Sequence, residues 1–107
     1  MTVDELKLRT KRFALRVIKL VAALPKTIEG RAIANQLARC GTSVAANYRA
    51  ACRARSRSEF VAKMGVVLED ADETQLWLEL IIESKLLSSK TSSVLVYGSE
   101  QIGRDLL

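Results

Sequence analysis

The sequence predicts an all-α fold, a left-handed antiparallel up-down-up-down four-helix bundle, and three observations lead there. The 107 residues are 49% hydrophobic but only 5% aromatic, with five glycines and one proline. That balance suits Ala/Leu/Val-rich helices better than a turn-rich sheet protein. Apolar residues recur at alternating steps of three and four, as one buried helical stripe requires. Capping residues and the single proline punctuate these stripes where a helix should start or stop. A chain this short supports one hydrophobic core, so residues 1–107 read as a single domain.

The first helix is expected from about Thr2 to Leu24. Thr2 and Glu5 have the spacing at which a cap and the third helical residue satisfy free backbone amides, and Pro25 ends the run. Leu6, Phe13, Val17, Leu20 and Leu24 fall on its core stripe. The second helix is expected from Thr27 to about Ala54, with Ile33, Leu37, Cys40, Val44, Tyr48 and Ala51 facing inward. Gly41 lies inside it, at a cost of about 1 kcal/mol relative to alanine. Close approach of another backbone accounts for that glycine better than a bend, because Thr42, Ala46 and Ala50 continue a ridge of small side chains.

The third helix has the plainest pattern. Ser56 and Glu59 form a second capping box, and Phe60, Met64, Val67, Ala71, Thr74, Leu78 and Ile81 alternate steps of four and three. Leu76 and Leu80 point nearly opposite this stripe, with Trp77 on the flank. A lone bundle leaves such side chains wet, so Leu76, Trp77 and Leu80, with the small residues Thr42 and Ala46, are candidate oligomer contacts. Scattered surface leucines, on the other hand, are ordinary. The fourth helix is expected at about Ser92 to Leu106, after a Ser/Lys/Thr-rich connection. Short connections favour antiparallel neighbours.

Charge is uneven along the chain. The formal net charge is +5, but residues 1–63 hold 14 Lys/Arg against 4 Asp/Glu, and residues 64–107 hold 3 against 8. Either a basic face for an anionic partner or complementary charge between helices or subunits explains this. Asp4, Glu5 and the scattered Lys/Arg of the first helix do not fit a secretory signal, and no run is long and apolar enough to span a bilayer. Cys40 and Cys52 lie on one helix, roughly 18 Å apart at 1.5 Å per residue, too far to pair. They read as reduced thiols of a cytoplasmic protein.

The chain contains no histidine. That excludes serine-triad and Cys-His mechanisms and the Glu-x-x-His motif of di-iron bundles. Glu69, Asp72 and Glu73 face away from the core stripe and read as a solvated surface, so no metal, cofactor or catalytic residue is expected. No phosphate-binding glycine loop is present. The chain is therefore expected to work without catalysing a reaction.

The main polar feature is basic. Arg49 and Arg53 stand one turn apart, Arg55 and Arg57 occupy the corner that follows, and Lys11, Arg12 and Lys19 extend the surface on the first helix. These seven are the candidate nucleic-acid contacts, able to bridge successive phosphates of RNA or DNA. With so few aromatics, binding would read backbone and shape rather than sequence. The alternative is a protein–protein interaction module whose arginines pair with Glu69, Asp70 and Glu73 of the next helix or of a neighbouring subunit.

The run Ser43-Val-Ala-Ala-Asn-Tyr-Arg-Ala-Ala-Cys-Arg-Ala-Arg-Ser-Arg-Ser-Glu-Phe60, followed by the acidic stretch that ends Trp77-Leu78-Glu79-Leu80, resembles the four-helix bundle family of 23S ribosomal RNA intervening-sequence proteins. The resemblance spans nearly the whole chain. It implies a left-handed up-and-down bundle that assembles into a homopentamer, and members encoded within insertions in bacterial large-subunit ribosomal RNA genes. It implies no settled function. A relative of similar architecture, the accessory variability determinant of diversity-generating retroelements, is a basic pentamer that binds nucleic acid and a reverse transcriptase. By that likeness Arg49, Arg53, Arg55 and Arg57 are the residues to carry such a role.

Overall fold

A computed structural model describes residues 1–87 of the chain, and these form three α-helices without strands. Helix α1 spans Val3–Ala23, α2 spans Ile28–Cys52 and α3 spans Arg57–Glu83. The fourth helix expected at 92–106 lies outside the described residues.

Local chemistry sets each start. Thr2, Thr27 and Ser56 sit in extended conformation just before the three helices. Each hydroxyl accepts a hydrogen bond, at 3.1 Å, from the backbone N–H three residues on: Glu5, Gly30 and Glu59. These satisfy donors that a helix end otherwise leaves bare. The residues after α1 turn extended at Leu24, as a following proline demands. Helix α2 ends at Cys52, slightly earlier than its apolar pattern suggests, with Arg53 as the last half-helical residue.

Helix α2 is the middle element. Both α1 and α3 pack along it, and no Cα atom of α1 lies within 8 Å of a Cα atom of α3. Its run is antiparallel to α3: Asn47 meets Asp70, and Arg39 meets Glu73 further back along α2 and further on along α3. The core holds the predicted stripes. Leu37, Val44, Val17, Val67, Leu78 and Ile81 are fully enclosed. Two threonines, Thr10 and Thr74, are equally buried, and each hydroxyl donates to a carbonyl one turn back, Leu6 at 3.0 Å and Asp70 at 2.7 Å. Their polarity is thereby satisfied inside the helix.

Three predicted core positions lie nearer the surface. Ile33 and Met64 are only partly buried, and Phe60 is exposed although it begins the α3 stripe. Each sits near the first turns of its helix, where fewer neighbours close over it. Cys40 is buried and Cys52 half-buried, both with free thiols. Burial pushes the Cys40 thiol up, against a smaller opposing effect of its hydrogen bond with Thr74. The Tyr48 phenol is pushed up to about 12, first by burial and then by its hydrogen bond with Cys52.

Gly41 marks where α1 comes closest to α2. A methyl group placed on it would lie 2.8 Å and 2.9 Å from the two methyls of Val17, a β-branched side chain with no exposed surface. Val17 has little freedom to turn away. Alanine would recover about 1 kcal/mol of helix propensity, yet the clash costs about 1–3 kcal/mol, so Gly41→Ala is expected to be destabilising on balance. Urea denaturation checks the sign: a lower midpoint with unchanged slope is expected.

Candidate nucleic-acid interface

The corner between α2 and α3 decides where the arginines go. Arg53 closes α2 with its backbone N–H directed at the carbonyls of Ala50 and Ala51, and the Ala54 N–H follows with a 3.0 Å bond to Ala51. Ser56 then starts α3. The Glu59 carboxylate reaches back to the Arg55 backbone N–H at 3.4 Å, one residue short of the capping partner that the sequence suggests. This tight corner holds the last turn of α2 beside the first turns of α3.

Between those turns lies an open groove of about 540 Å³, lined by Ala46, Arg49, Ala50, Arg53, Arg55, Glu59 and Lys63. A second groove, about 320 Å³, runs between α1 and α2 and is lined by Lys11, Ala14, Leu15, Thr42, Ala45, Ala46 and Arg49. Ala46 and Arg49 border both, so the two grooves flank the same stretch of α2 and together make up the trough. Small side chains supply its floor, and that is what leaves it open between helices. Thr42 and Ala46 therefore line this trough.

Of the predicted cationic residues, the structure brings together Lys11, Arg49, Arg53 and Arg55 along the trough. Arg57, Arg12 and Lys19 are exposed but line neither groove. Lys63 joins the set without having been predicted, together with Glu59. Those two share the loose ion pair of the site, at 3.9 Å and one turn apart. No sequence motif marks Lys63; only the packing of α3 on α2 carries it to the rim.

The acidic residues of α3 do not neutralise these arginines within the chain. Glu73 pairs with Arg39 and also accepts the Trp77 indole N–H at 3.1 Å. Asp70 accepts the Asn47 amide at 2.7 Å. Among the described residues no ion pair joins Arg49, Arg53, Arg55 or Arg57 to a carboxylate. Five cations against one carboxylate along the two grooves give this face a net positive potential, which attracts anions. The trough offers no aromatic stacking platform and no nucleophile paired with a base. Its charge suits it to holding phosphates.

The predicted contacts on α3 divide. Leu76 and Leu80 are exposed, whereas Trp77 is half-buried, packed on the core and tied to Glu73. No group of three or more Cys, Asp or Glu residues is arranged to hold a metal ion among the described residues, and no described helix is long and apolar enough to cross a membrane.

Comparison with known proteins gives three findings. A crystal structure of a protein of unknown function from the S23 ribosomal protein family of Bacteroides thetaiotaomicron is 32% identical to this chain. The match has a TM-score of 0.89 and covers 94% of each chain. No curated protein matches the chain. The family model described as 23S rRNA-intervening sequence protein matches residues 5–107, nearly the full length. The chain therefore belongs to the 23S rRNA-intervening sequence protein family.

Proposed function

We propose that this protein is a non-enzymatic, cytoplasmic, homo-oligomeric scaffold that binds the phosphate backbone of RNA or DNA along the α1–α2–α3 trough. In this reading a fourth helix completes a left-handed antiparallel bundle, and the assembly is a pentamer, as the family resemblance implies. One observation supports the nucleic-acid part: Lys11, Arg49, Arg53, Arg55 and Lys63 line two adjoining grooves whose one acidic lining residue is Glu59. Cations held this way release condensed counterions from a nucleic-acid strand, and that release favours binding whatever the base sequence. The assembly part is supported by leucines that the three-helix core leaves uncovered.

Native mass and the ratio of absorbance at 260 and 280 nm, measured on the same freshly purified protein, test both parts. A multiple of the 11.8 kDa chain mass with excess absorbance at 260 nm, removed by nuclease, is the expected result. A multimer that neither carries nor takes up nucleic acid at low salt favours a protein–protein interaction module instead. A monomer contradicts the scaffold.

A further inference from the structure

Two outward faces carry apolar side chains that the core does not use. On α1, Leu8, Leu15 and Ile18 are 46%, 57% and 53% exposed. At about 100° per residue they lie on the side opposite Leu6, Phe13, Val17 and Leu20. On α3, Leu76 and Leu80 are 48% and 39% exposed and point away from Val67 and Leu78.

The borders of these faces differ in sign. Arg12 and Lys19 stand beside Leu8 and Leu15, whereas Asp72 and Glu79 stand beside Leu76, and residues 64–84 contain no Lys or Arg at all. Arg12 and Lys19 are seven residues apart, and so are Asp72 and Glu79, so each pair spans two helical turns. None of the four is in an ion pair among the described residues.

Gly65 adds an independent sign of approach. It lies on the same outer side of α3, and a methyl group built on it would meet nothing within 4 Å. An interior helix glycine costs about 1 kcal/mol. Unlike Gly41, it relieves no crowding among the described residues.

We propose that the outer face of α1 in one copy docks on the outer face of α3 in the next, leucine against leucine, with Arg12 and Lys19 opposite Asp72 and Glu79. This rests on the homo-oligomer reading above and specifies which surfaces meet. Pairing α1 with α1, or α3 with α3, would set like charges face to face, which is strongly unfavourable at an interface. The contact is therefore between two different surfaces, and each copy offers one of each. An apolar centre with charged borders gives both adhesion and choice of partner.

Sedimentation velocity of the full chain across a concentration series tests the proposal with four proteins. These are the wild type, Arg12→Glu with Lys19→Glu, Asp72→Lys with Glu79→Lys, and all four substitutions in one chain. Each double variant is expected to need at least about tenfold more protein for half-assembly, and the quadruple variant to regain the wild-type mass. Circular dichroism confirms that helix content is unchanged. Should a double variant not fold, Ile18→Ala, which adds no charge and lines neither groove, carries the same expectation of weaker assembly.

A multimer indifferent to the substitutions, or double variants that the quadruple variant does not rescue, would overturn this pairing while leaving the scaffold standing. Residues 88–107 or a different protein would then be what covers these leucines. A monomeric wild type would overturn both.

Discussion

Truncating Leu37 to alanine should lower the unfolding free energy by about 2–5 kcal/mol. Leu37 is fully enclosed in the middle helix. Both neighbouring helices lean on α2, so a cavity there removes dispersion attraction and cannot be filled by one helix moving in without opening the other side. For a domain of this size each kilocalorie shifts the melting temperature by about 4–8 °C, so a fall of at least about 8 °C is expected. The comparison holds only at equal protein concentration, because assembly stabilises by mass action. A shift of a degree or two would mean that the site is not a packed core.

The second large effect concerns binding. Arg49 borders both grooves, and Arg53 stands one turn further toward the corner. Replacing both with alanine should weaken affinity for a labelled single-stranded RNA by at least about tenfold and reduce the magnitude of the salt slope by about 1.4, or about 0.7 for each phosphate no longer neutralised. Neither side chain contributes to the buried core, so the melting temperature should change little. If the variant instead assembles poorly or melts early with affinity intact, the arginines serve subunit contacts. Arg12→Ala and Lys19→Ala are a useful contrast, since neither lines the trough: they should affect assembly more than RNA binding.

The helices and their starts were readable because their causes are local. A hydroxyl three residues before an amide, a proline after an apolar stripe and a strict three-four alternation are all visible in one sequence. Gly41 was readable in part: close packing was expected there, but it comes from the Val17 side chain rather than from another backbone. The exposed pair Leu76 and Leu80 followed from counting angles on α3 alone.

Features that depend on two helices at once were not readable. Lys63 looks like any surface lysine until the corner at residues 53–56 folds α3 back along α2. Trp77 was grouped with its leucine neighbours, but the indole packs on the core and finds Glu73, a choice set by tertiary packing. The α1 leucines were hidden among lysines and arginines, because a stripe opposite the core stands out only once the core side is known. Pairing of acids with arginines was likewise open: Glu73 could have met several, and the helix register brought it to Arg39.

The most direct test of the trough as a phosphate-binding surface is fluorescence anisotropy of a labelled single-stranded RNA, titrated with wild-type protein at several salt concentrations. With about five cations engaged, the logarithm of the binding constant should fall linearly with the logarithm of salt, with a slope of about −3 to −4. Absence of binding at the lowest salt, or a tight complex indifferent to salt, would contradict it.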